Sequence, residues 1–174
     1  MKKKMKMKMN VQTLVTLSVL IAIELILSRF LSISAWNIKI GFSFVPIAIA
    51  ATAYGPVEAG IVGGVGDLVG ALLFPIGAYF PGFTLTAFLT GVVFGLFLHK
   101  RQTLGRVLGA VAVNQLILSL LLNTLWISIL YGSEFGPLLV TRIFQCLILA
   151  PMQIVLIGSV TKVIKVYTGR RVTV

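Results

Sequence analysis

Six apolar segments follow one another along the chain, and this succession restricts the possible folds more than any other feature. A helix needs roughly 20 apolar residues to cross a bilayer, or fewer where its neighbours bury it. Of the residues, 58% are hydrophobic and 11% are charged, whereas about 25% are charged in soluble domains. The segments are Val11–Ile33, Gly41–Tyr54, Val57–Phe74, Phe83–Leu98, Val107–Tyr131 and Pro137–Val166. We predict an all-α integral membrane protein, a six-transmembrane-helix bundle in a single domain over residues 1–174, with a basic leader at 1–10, helices within 11–166 and a tail at 167–174.

Lysine and arginine are distributed unevenly between the connections of these segments. The net charge of +11 arises from 15 basic and 4 acidic residues, and basic loops are retained in the cytoplasm. Three basic clusters precede the first segment, join the fourth to the fifth and follow the sixth: Lys2, Lys3, Lys4, Lys6 and Lys8; Lys100, Arg101 and Arg106; Lys162, Lys165, Arg170 and Arg171. The alternate connections carry Lys39, Glu134 and little else. Both termini are therefore predicted to be cytoplasmic.

The basic charge and the basic leader each admit another interpretation. Nucleic-acid binding would need a basic groove with stacking aromatic side chains on a soluble fold, which this chain does not offer. A cleaved signal peptide would need an uninterrupted apolar run and an A-x-A site, but Glu24 and Arg29 interrupt the run and no such site follows. We predict that the first segment remains as a helix and that nucleic acid is not a partner.

Residues for catalysis, metal binding or nucleotide binding are sparse. His99 is the single histidine and Cys146 the single cysteine, which excludes an internal disulfide, a His-pair metal site and a Ser-His-Asp triad. No phosphate-binding loop of the form G-x-x-x-x-G-K-[ST] occurs. The four acidic residues lie at different predicted depths: Glu24, Glu58, Asp67 and Glu134. The sequence predicts no enzyme, no metal and no cofactor, with Cys146 as a small buried residue.

Asp67 lies in the glycine-rich apolar stretch GVGDLVGALLFPIGAYFPGFT, which runs from Gly64 to Thr84. A charged group at bilayer depth is costly unless it faces the protein interior or water. Gly60, Gly64, Asp67 and Ala71 recur at helical spacing, so they share one stripe of a helix. Small residues on that stripe allow close packing. Asp67 is predicted to point into the bundle, either as a lock between helices or as a ligand contact.

A second polar stripe lies on the sixth segment. Arg142, Gln145, Leu149 and Gln153 sit at i, i+3, i+7 and i+11 and cannot face lipid together. In the predicted outer half, polar or amphipathic side chains from three helices meet: Arg29, Trp36, Asn123, Trp126, Arg142 and Gln145. Singly, the tryptophans could form an interfacial belt and the arginines could extend to the headgroups. Together they predict a cavity open to the outside.

The central third of the sequence resembles a known family. The stretch GFSFVPIAIAATAYGPVEAGIVGGVGDLVGALLFPIGAYFPGFTLTAFLTGVVFGLFL, Gly41 to Leu98, is similar to the substrate-binding (S) membrane subunits of energy-coupling factor (ECF) vitamin transporters, and most similar to the folate-specific group. LFPIGAYFPGFTLTA is its most specific part, and the pantothenate-specific subunits look similar there. The resemblance implies a multi-pass protein of the bacterial plasma membrane that binds a vitamin from outside and catalyses nothing.

The resemblance also implies partners, namely a transmembrane coupling subunit and two cytoplasmic ATPases. Members of the family carry a small-xxx-small pair in the first helix for docking on the coupling subunit, and Ser18 and Ala22 match its spacing, with Ser18 in place of the usual alanine. Arg29 follows Ser18 by eleven residues, or about 20° of helical rotation. The docking pair and Arg29 would therefore share a stripe, which requires the helix to bend or tilt unless one assignment is wrong.

Folate suits the chemistry of the predicted cavity. Its pterin ring needs aromatic faces and hydrogen-bonding partners, and its glutamate needs cations. The candidates are Trp36, Tyr79, Phe83 and Trp126 for stacking; Asp67, Asn123 and Gln145 for hydrogen bonds; Arg29, Lys39 and Arg142 for the carboxylates. Pantothenate would need a cation but little stacking. The remaining alternatives are an intramembrane enzyme that uses Asp67 and a purely structural membrane protein.

Overall fold

The computed structural model describes residues 10–35 and 38–168, which form six helices and one β-hairpin. Five helices are long and apolar enough to cross a membrane, and the sixth, α2, has ten residues. These findings confirm the predicted all-α six-helix class. The elements are α1 (Val11–Arg29), β1 (Ile33–Ala35), β2 (Ile38–Ile40), α2 (Phe44–Ala53), α3 (Pro56–Leu73), α4 (Pro81–Leu98), α5 (Leu104–Tyr131) and α6 (Phe135–Thr168).

Three parts of the predicted organisation differ from the structure or fall outside it. The first helix was predicted to reach Ile33, but α1 ends at Arg29. Ile33 belongs to an antiparallel hairpin in which it pairs with Ile40, since β-branched residues suit strands. The sixth helix extends to Thr168 and so takes in the first part of the predicted tail. Residues 1–9 of the leader, residues 169–174 of the tail, and Trp36 lie outside the described residues.

Proline and glycine mark several helix boundaries. Pro56 and Pro81 occupy the first positions of α3 and α4, where a missing backbone N–H costs no helical hydrogen bond. Gly55, between α2 and α3, has a φ of 119°, and Gly132, after α5, has a φ of 62°. Residues with a side chain rarely adopt a positive φ. The glycines therefore allow the tight reversals that bring consecutive helices side by side.

The fifth helix is irregular at its centre. Its first part, Leu104–Ala112, and its last part, Asn123–Tyr131, are α-helical, while Val113–Leu122 between them is π-helical. Hydrogen bonds in a π-helix run between residues five apart rather than four. The π-helix therefore changes which side chains of α5 share a face.

Helices α3 and α4 form the closest helix pair, and glycines on both make this possible. A Cβ on Gly91 of α4 would lie 2.2 Å from the carbonyl oxygen of Ala59 on α3, and a Cβ on Gly63 would lie 2.4 Å from the carbonyl oxygen of Ala87. Gly60 and Gly64 pack against the ring of Phe88. Small residues let the two backbones touch, as is common between helices in membranes.

Gly91→Ala is expected to destabilise the protein because its methyl group would press on backbone that cannot rotate away. Such overpacking costs about 1–3 kcal/mol. The matched control is Gly158→Ala on α6, where a Cβ meets nothing within 4 Å. The measurement is thermal unfolding of the purified variants in one detergent. A melting temperature for Gly91→Ala equal to that of Gly158→Ala would contradict this account of the pair.

The bundle is divided into a dry half and a polar half. Its apolar core joins residues at the end of the bundle where α4 ends and α5 begins, including Phe94, Leu98 and Val111. His99 lies beside Gly55 at this end, whereas Gly77 lies beside the Tyr131 hydroxyl at the other. Towards that second end, which the basic clusters predict to be extracellular, the helices separate around a cavity.

Candidate functional site

A cavity of about 520 Å³ opens among all six helices, β2 and the link between α3 and α4. This volume falls in the range of small-molecule sites, roughly 300–1,000 Å³. Eight of the ten side chains predicted to contact a ligand line it: Arg29, Lys39, Asp67, Tyr79, Phe83, Asn123, Arg142 and Gln145. The structure therefore brings together, in one cavity, residues that lie more than a hundred positions apart in the sequence.

Asp67 joins α1, α3 and α4 at the wall of this cavity. Arg29 Nη2 lies 3.3 Å from Asp67 Oδ1 and also donates to the Asp67 backbone carbonyl at 3.2 Å. The Thr84 hydroxyl donates to Asp67 Oδ2 at 2.9 Å. Both carboxylate oxygens thus have partners, and Asp67 is a lock between helices that also faces the cavity.

Arg29 reaches Asp67 inside the bundle although it shares a helical stripe of α1 with Ser18 and Ala22. Ser18 and Ala22 are exposed on the outer surface of the helix. Arg29, at the last residue of α1, turns its long side chain inward over Gly70, where a Cβ would lie 2.6 Å from Arg29 Nε. The guanidinium is therefore largely buried, although Arg29 lies on nearly the same helical stripe as Ser18 and Ala22.

Lys39 and Gln145 connect the hairpin to the cavity. Gln145 Nε2 on α6 donates to the backbone carbonyl of Lys39 on β2 at 2.7 Å, which fixes the hairpin over the bundle. Burial lowers the pKa of the Lys39 amino group, the nearby positive charge of Arg29 lowers it further, and the carboxylates of Asp67 and Glu24 oppose this shift. Lys39 therefore belongs to a cluster of two cations and two carboxylates on the cavity wall.

Arg142 holds the π-helical part of α5. Its Nη2 donates to the Ser119 carbonyl at 3.2 Å, and Cys146, one turn further along α6, donates through Sγ to the Gln115 carbonyl at 3.5 Å. Cys146 is a free, buried cysteine, as predicted. Arg142 thus combines a structural contact with a place on the cavity wall.

The polar stripe predicted on α6 is confirmed, and its inner end belongs to a hydrogen-bonded network. Arg142, Gln145, Leu149 and Gln153 are all buried and all line the cavity. The Thr90 hydroxyl on α4 donates to Asn114 Oδ1 at 2.9 Å, and Asn114 Nδ2 donates to Gln153 Oε1 at 3.4 Å. This network joins α4, α5 and α6 deep in the cavity.

The aromatic part of the site differs from the sequence prediction. Phe80 and Phe83 line the cavity with their rings 6.1 Å apart, and Tyr79 lies beside them. Trp126 is not among the lining residues. Its Nε1 donates to the Thr86 hydroxyl at 3.0 Å, and its ring packs on Phe80 at 5.5 Å, so it supports the wall from behind.

Several polar lining residues were missed as site candidates, among them Glu24, Thr90, Gln115 and Ser119. Glu24 had a signal, because a carboxylate inside an apolar helix must find a polar environment. Asn114 and Ser119 are five residues apart, about 140° on an α-helix. On an α-helix these two side chains would therefore lie on different faces. In the π-helix both line the cavity. Within residues 10–35 and 38–168, no three His, Cys, Asp or Glu side chains are grouped to hold a metal ion.

The fold and the cavity define a class, a helical membrane protein that encloses a polar binding site in one half of its bundle. The family model described as ECF transporter, substrate-specific component matches residues 12–161. The chain belongs to this family. It is a multi-pass component of a transporter in the cell membrane and not an enzyme, which rules out the intramembrane enzyme considered above.

Two similar proteins carry the same name. The chain is 39% identical over 156 residues to the folate transporter FolT of Clostridium novyi (strain NT), covering 89% of this chain and 91% of that protein. It is 30% identical over 154 residues to the folate transporter FolT of Leuconostoc mesenteroides subsp. mesenteroides, covering 84% of this chain and 83% of that protein. The family predicted from the central third of the sequence is confirmed.

Solved structures agree with these relatives. The crystal structure of FolT bound with folic acid matches with a TM-score of 0.83 at 35% identity, over 87% of this chain and 95% of that one. The structure of the S component of a bacterial ECF transporter matches with a TM-score of 0.65 at 26% identity, over 91% and 96%.

Proposed function

We propose that this chain captures folate from the outside of the cell and presents it to the rest of an ECF transporter. The observation that carries the proposal is the cavity itself, which places cations, aromatic rings and amides around one space. The similarity to a FolT structure bound with folic acid and to two folate transporters supports the same ligand.

The proposed contacts divide the cavity by chemistry. Arg29, Lys39 and Arg142 would match the glutamate carboxylates, and a guanidinium can do so with two parallel hydrogen bonds. Phe80, Phe83 and Tyr79 would offer faces to the ring systems. Asn123 and Gln145 would contribute hydrogen bonds, as Asn123 Oδ1 and Gln145 Oε1 are buried and accept none from the described residues.

The proposed partners are a transmembrane coupling subunit and two ATPases. The sequence contains no phosphate-binding loop of the form G-x-x-x-x-G-K-[ST] that would let the chain drive transport itself. We place the docking surface on α1 at Ser18 and Ala22, both of which are exposed on the outside of the bundle. Small side chains there would let another helix approach closely.

Folate is expected to bind the purified chain in detergent at one molecule per chain and without ATP. The measurement is equilibrium binding of radiolabelled folate, with radiolabelled pantothenate as the comparison. Pantothenate offers a carboxylate but no ring to stack, so it is expected to bind far more weakly. Preferential binding of pantothenate would contradict the proposed ligand.

The same chain reconstituted alone in lipid vesicles is expected not to accumulate folate, since it lacks an energy source. Vesicles that also contain the coupling and ATPase subunits, supplied with ATP, are the positive control. Concentrative uptake by the solitary chain would refute this division of labour.

A further inference from the structure

Glu24 is a buried carboxylate on the cavity wall that the locks between helices do not use. It lies on α1, is 3% exposed and lines the cavity. Its Oε2 rests against Gly66 of α3, where a Cβ would lie 2.1 Å away, so the glycine makes the room that the carboxylate occupies. That oxygen accepts no hydrogen bond from any described residue.

The contrast with Asp67 is informative because both carboxylates face the same cavity. Asp67 has a guanidinium on one oxygen and a hydroxyl on the other. Glu24 is near the charges of Asp67, Lys39 and Arg29 and has the Ser28 hydroxyl as a hydrogen-bond partner. Its Oε2 nevertheless has no donor, and the only ion pair within 4 Å among the described residues joins Arg29 to Asp67. A buried acceptor without a donor is costly, and native proteins rarely leave one unfilled. A molecule that enters the cavity can supply the donor that Glu24 Oε2 lacks.

The position of Glu24 indicates which part of a ligand would meet it. It precedes Arg29 by five residues, so it lies about 7–8 Å deeper along α1. A carboxylate suits a planar group that carries two adjacent N–H donors, and the terminal torsion of glutamate is soft enough to align with such a group. A fused 2-amino-4-oxopyrimidine ring has this edge, formed by its 2-amino group and its N3–H.

We propose that Glu24 determines specificity by accepting hydrogen bonds from the 2-amino-4-oxopyrimidine edge of the ligand, below the cations that hold the ligand's carboxylates. The inference rests on the proposed function in that folate carries such a ring. The sequence left Asp67 as either a lock between helices or a ligand contact. In this proposal Asp67 is the lock, paired with Arg29, and Glu24 contacts the ring.

A structural role as a counter-charge makes a different prediction. If Glu24 only balanced Arg29 and Lys39, its neutralisation would leave the cavity more positive and would strengthen an anionic ligand. If Glu24 accepts hydrogen bonds from the ring, its neutralisation weakens folate and pterin alike, because the glutamine amide replaces one acceptor oxygen with an NH2 donor that faces a donor of the ring.

The test compares ligands as well as variants, by competition against radiolabelled folate on the purified full chain. The competitors are pterin and its 2-oxo analogue, in which a carbonyl replaces the amino group. The parent protein is expected to prefer pterin by roughly 10- to 100-fold, as an unpaired buried polar group implies. Glu24→Gln is expected to lose folate and pterin by a similar factor and to reduce or reverse the preference. Glu58→Gln, which removes a carboxylate away from the cavity, is the control and is expected to match the parent.

Three results overturn the inference: equal affinity of the parent for pterin and the 2-oxo analogue, folate binding by Glu24→Gln at parental strength, or stronger folate binding by that variant. If Glu24→Gln does not fold, the preference of the parent protein between the two competitors decides. If the parent binds no folate at all, the proposed function fails, which is a separate result from a parent that binds folate without reading the 2-amino group.

Discussion

Arg29→Ala is expected to weaken folate binding by about 2–5 kcal/mol, the usual effect of truncating one member of a buried, hydrogen-bonded charge pair. The side chain is largely buried at the end of α1, and its guanidinium already faces Asp67 in the cavity wall. Removal of Arg29 takes away the cation for the ligand's carboxylates and leaves Asp67, which then repels them. Equilibrium binding of radiolabelled folate to the purified variant measures the loss.

Two comparisons show whether the loss comes from charge at the carboxylate. Pterin lacks the glutamate, so Arg29→Ala is expected to weaken pterin much less than folate. Arg29→Lys keeps the charge but not the planar fork, and is expected to recover only part of the affinity. Arg142→Ala is expected to weaken folate in the same range and also to lower the melting temperature, because Arg142 donates to the Ser119 carbonyl of the π-helix.

If Arg29→Ala and Arg142→Ala both fold and bind folate like the parent protein, neither guanidinium holds the ligand. The carboxylates would then be held by Lys39, whose amino group lies in the same cavity, or by backbone amides of the connecting segments.

Ala22→Trp is expected to abolish folate uptake by the assembled transporter while folate binding to the solitary chain stays nearly intact. Ala22 is exposed on α1, so the indole can be accommodated in the isolated protein, but it would hold a partner helix away from the surface. Ser18→Trp, one turn earlier, is expected to act in the same way. The paired measurements are uptake into vesicles with the complete transporter and binding to the purified chain.

A matched control separates docking from the general effect of a bulky side chain. Ala112 on α5 is also an exposed alanine, and Ala112→Trp is expected to leave uptake near the parental level. Loss of binding and uptake in equal measure for Ala22→Trp would show that the residue belongs to internal packing. Normal uptake by Ala22→Trp would place the docking surface elsewhere.

Much of the architecture follows from the sequence because a bilayer imposes it. Backbone polar groups in hydrocarbon must be satisfied within each segment, so apolar runs of sufficient length become helices. The segment count, the short second helix and the boundary between α3 and α4 were all predictable on this basis. The same reasoning indicated that the stripe of Arg142, Gln145 and Gln153 faces inward, since none of these side chains is compatible with lipid.

The partners of the polar side chains depend on how the helices pack against one another. The sequence shows that Asp67 and Glu24, as carboxylates in apolar helices, must avoid lipid. It does not show that Arg29 and Thr84 donate to Asp67, or that Glu24 keeps one oxygen without a donor. Trp126 likewise lies at the expected level and yet stands behind Phe80. Each of these contacts depends on which side chain of another helix lies beside the residue in the packed bundle.

The π-helix of α5 is the clearest case of a feature that the sequence does not predict. From the sequence, Asn114 and Ser119 belong to different faces of an α-helix, and no local signal marks the change in hydrogen bonding. Arg142 and Cys146 on α6 donate hydrogen bonds to backbone carbonyls of these wider turns and so stabilise them. The number of helices and the identity of the residues that must avoid lipid could be predicted from the sequence, because those properties depend on each segment's own contact with the bilayer. Only the packing of helices against one another decided the register of α5 and the shape of the cavity, because those depend on contacts between residues far apart in the chain.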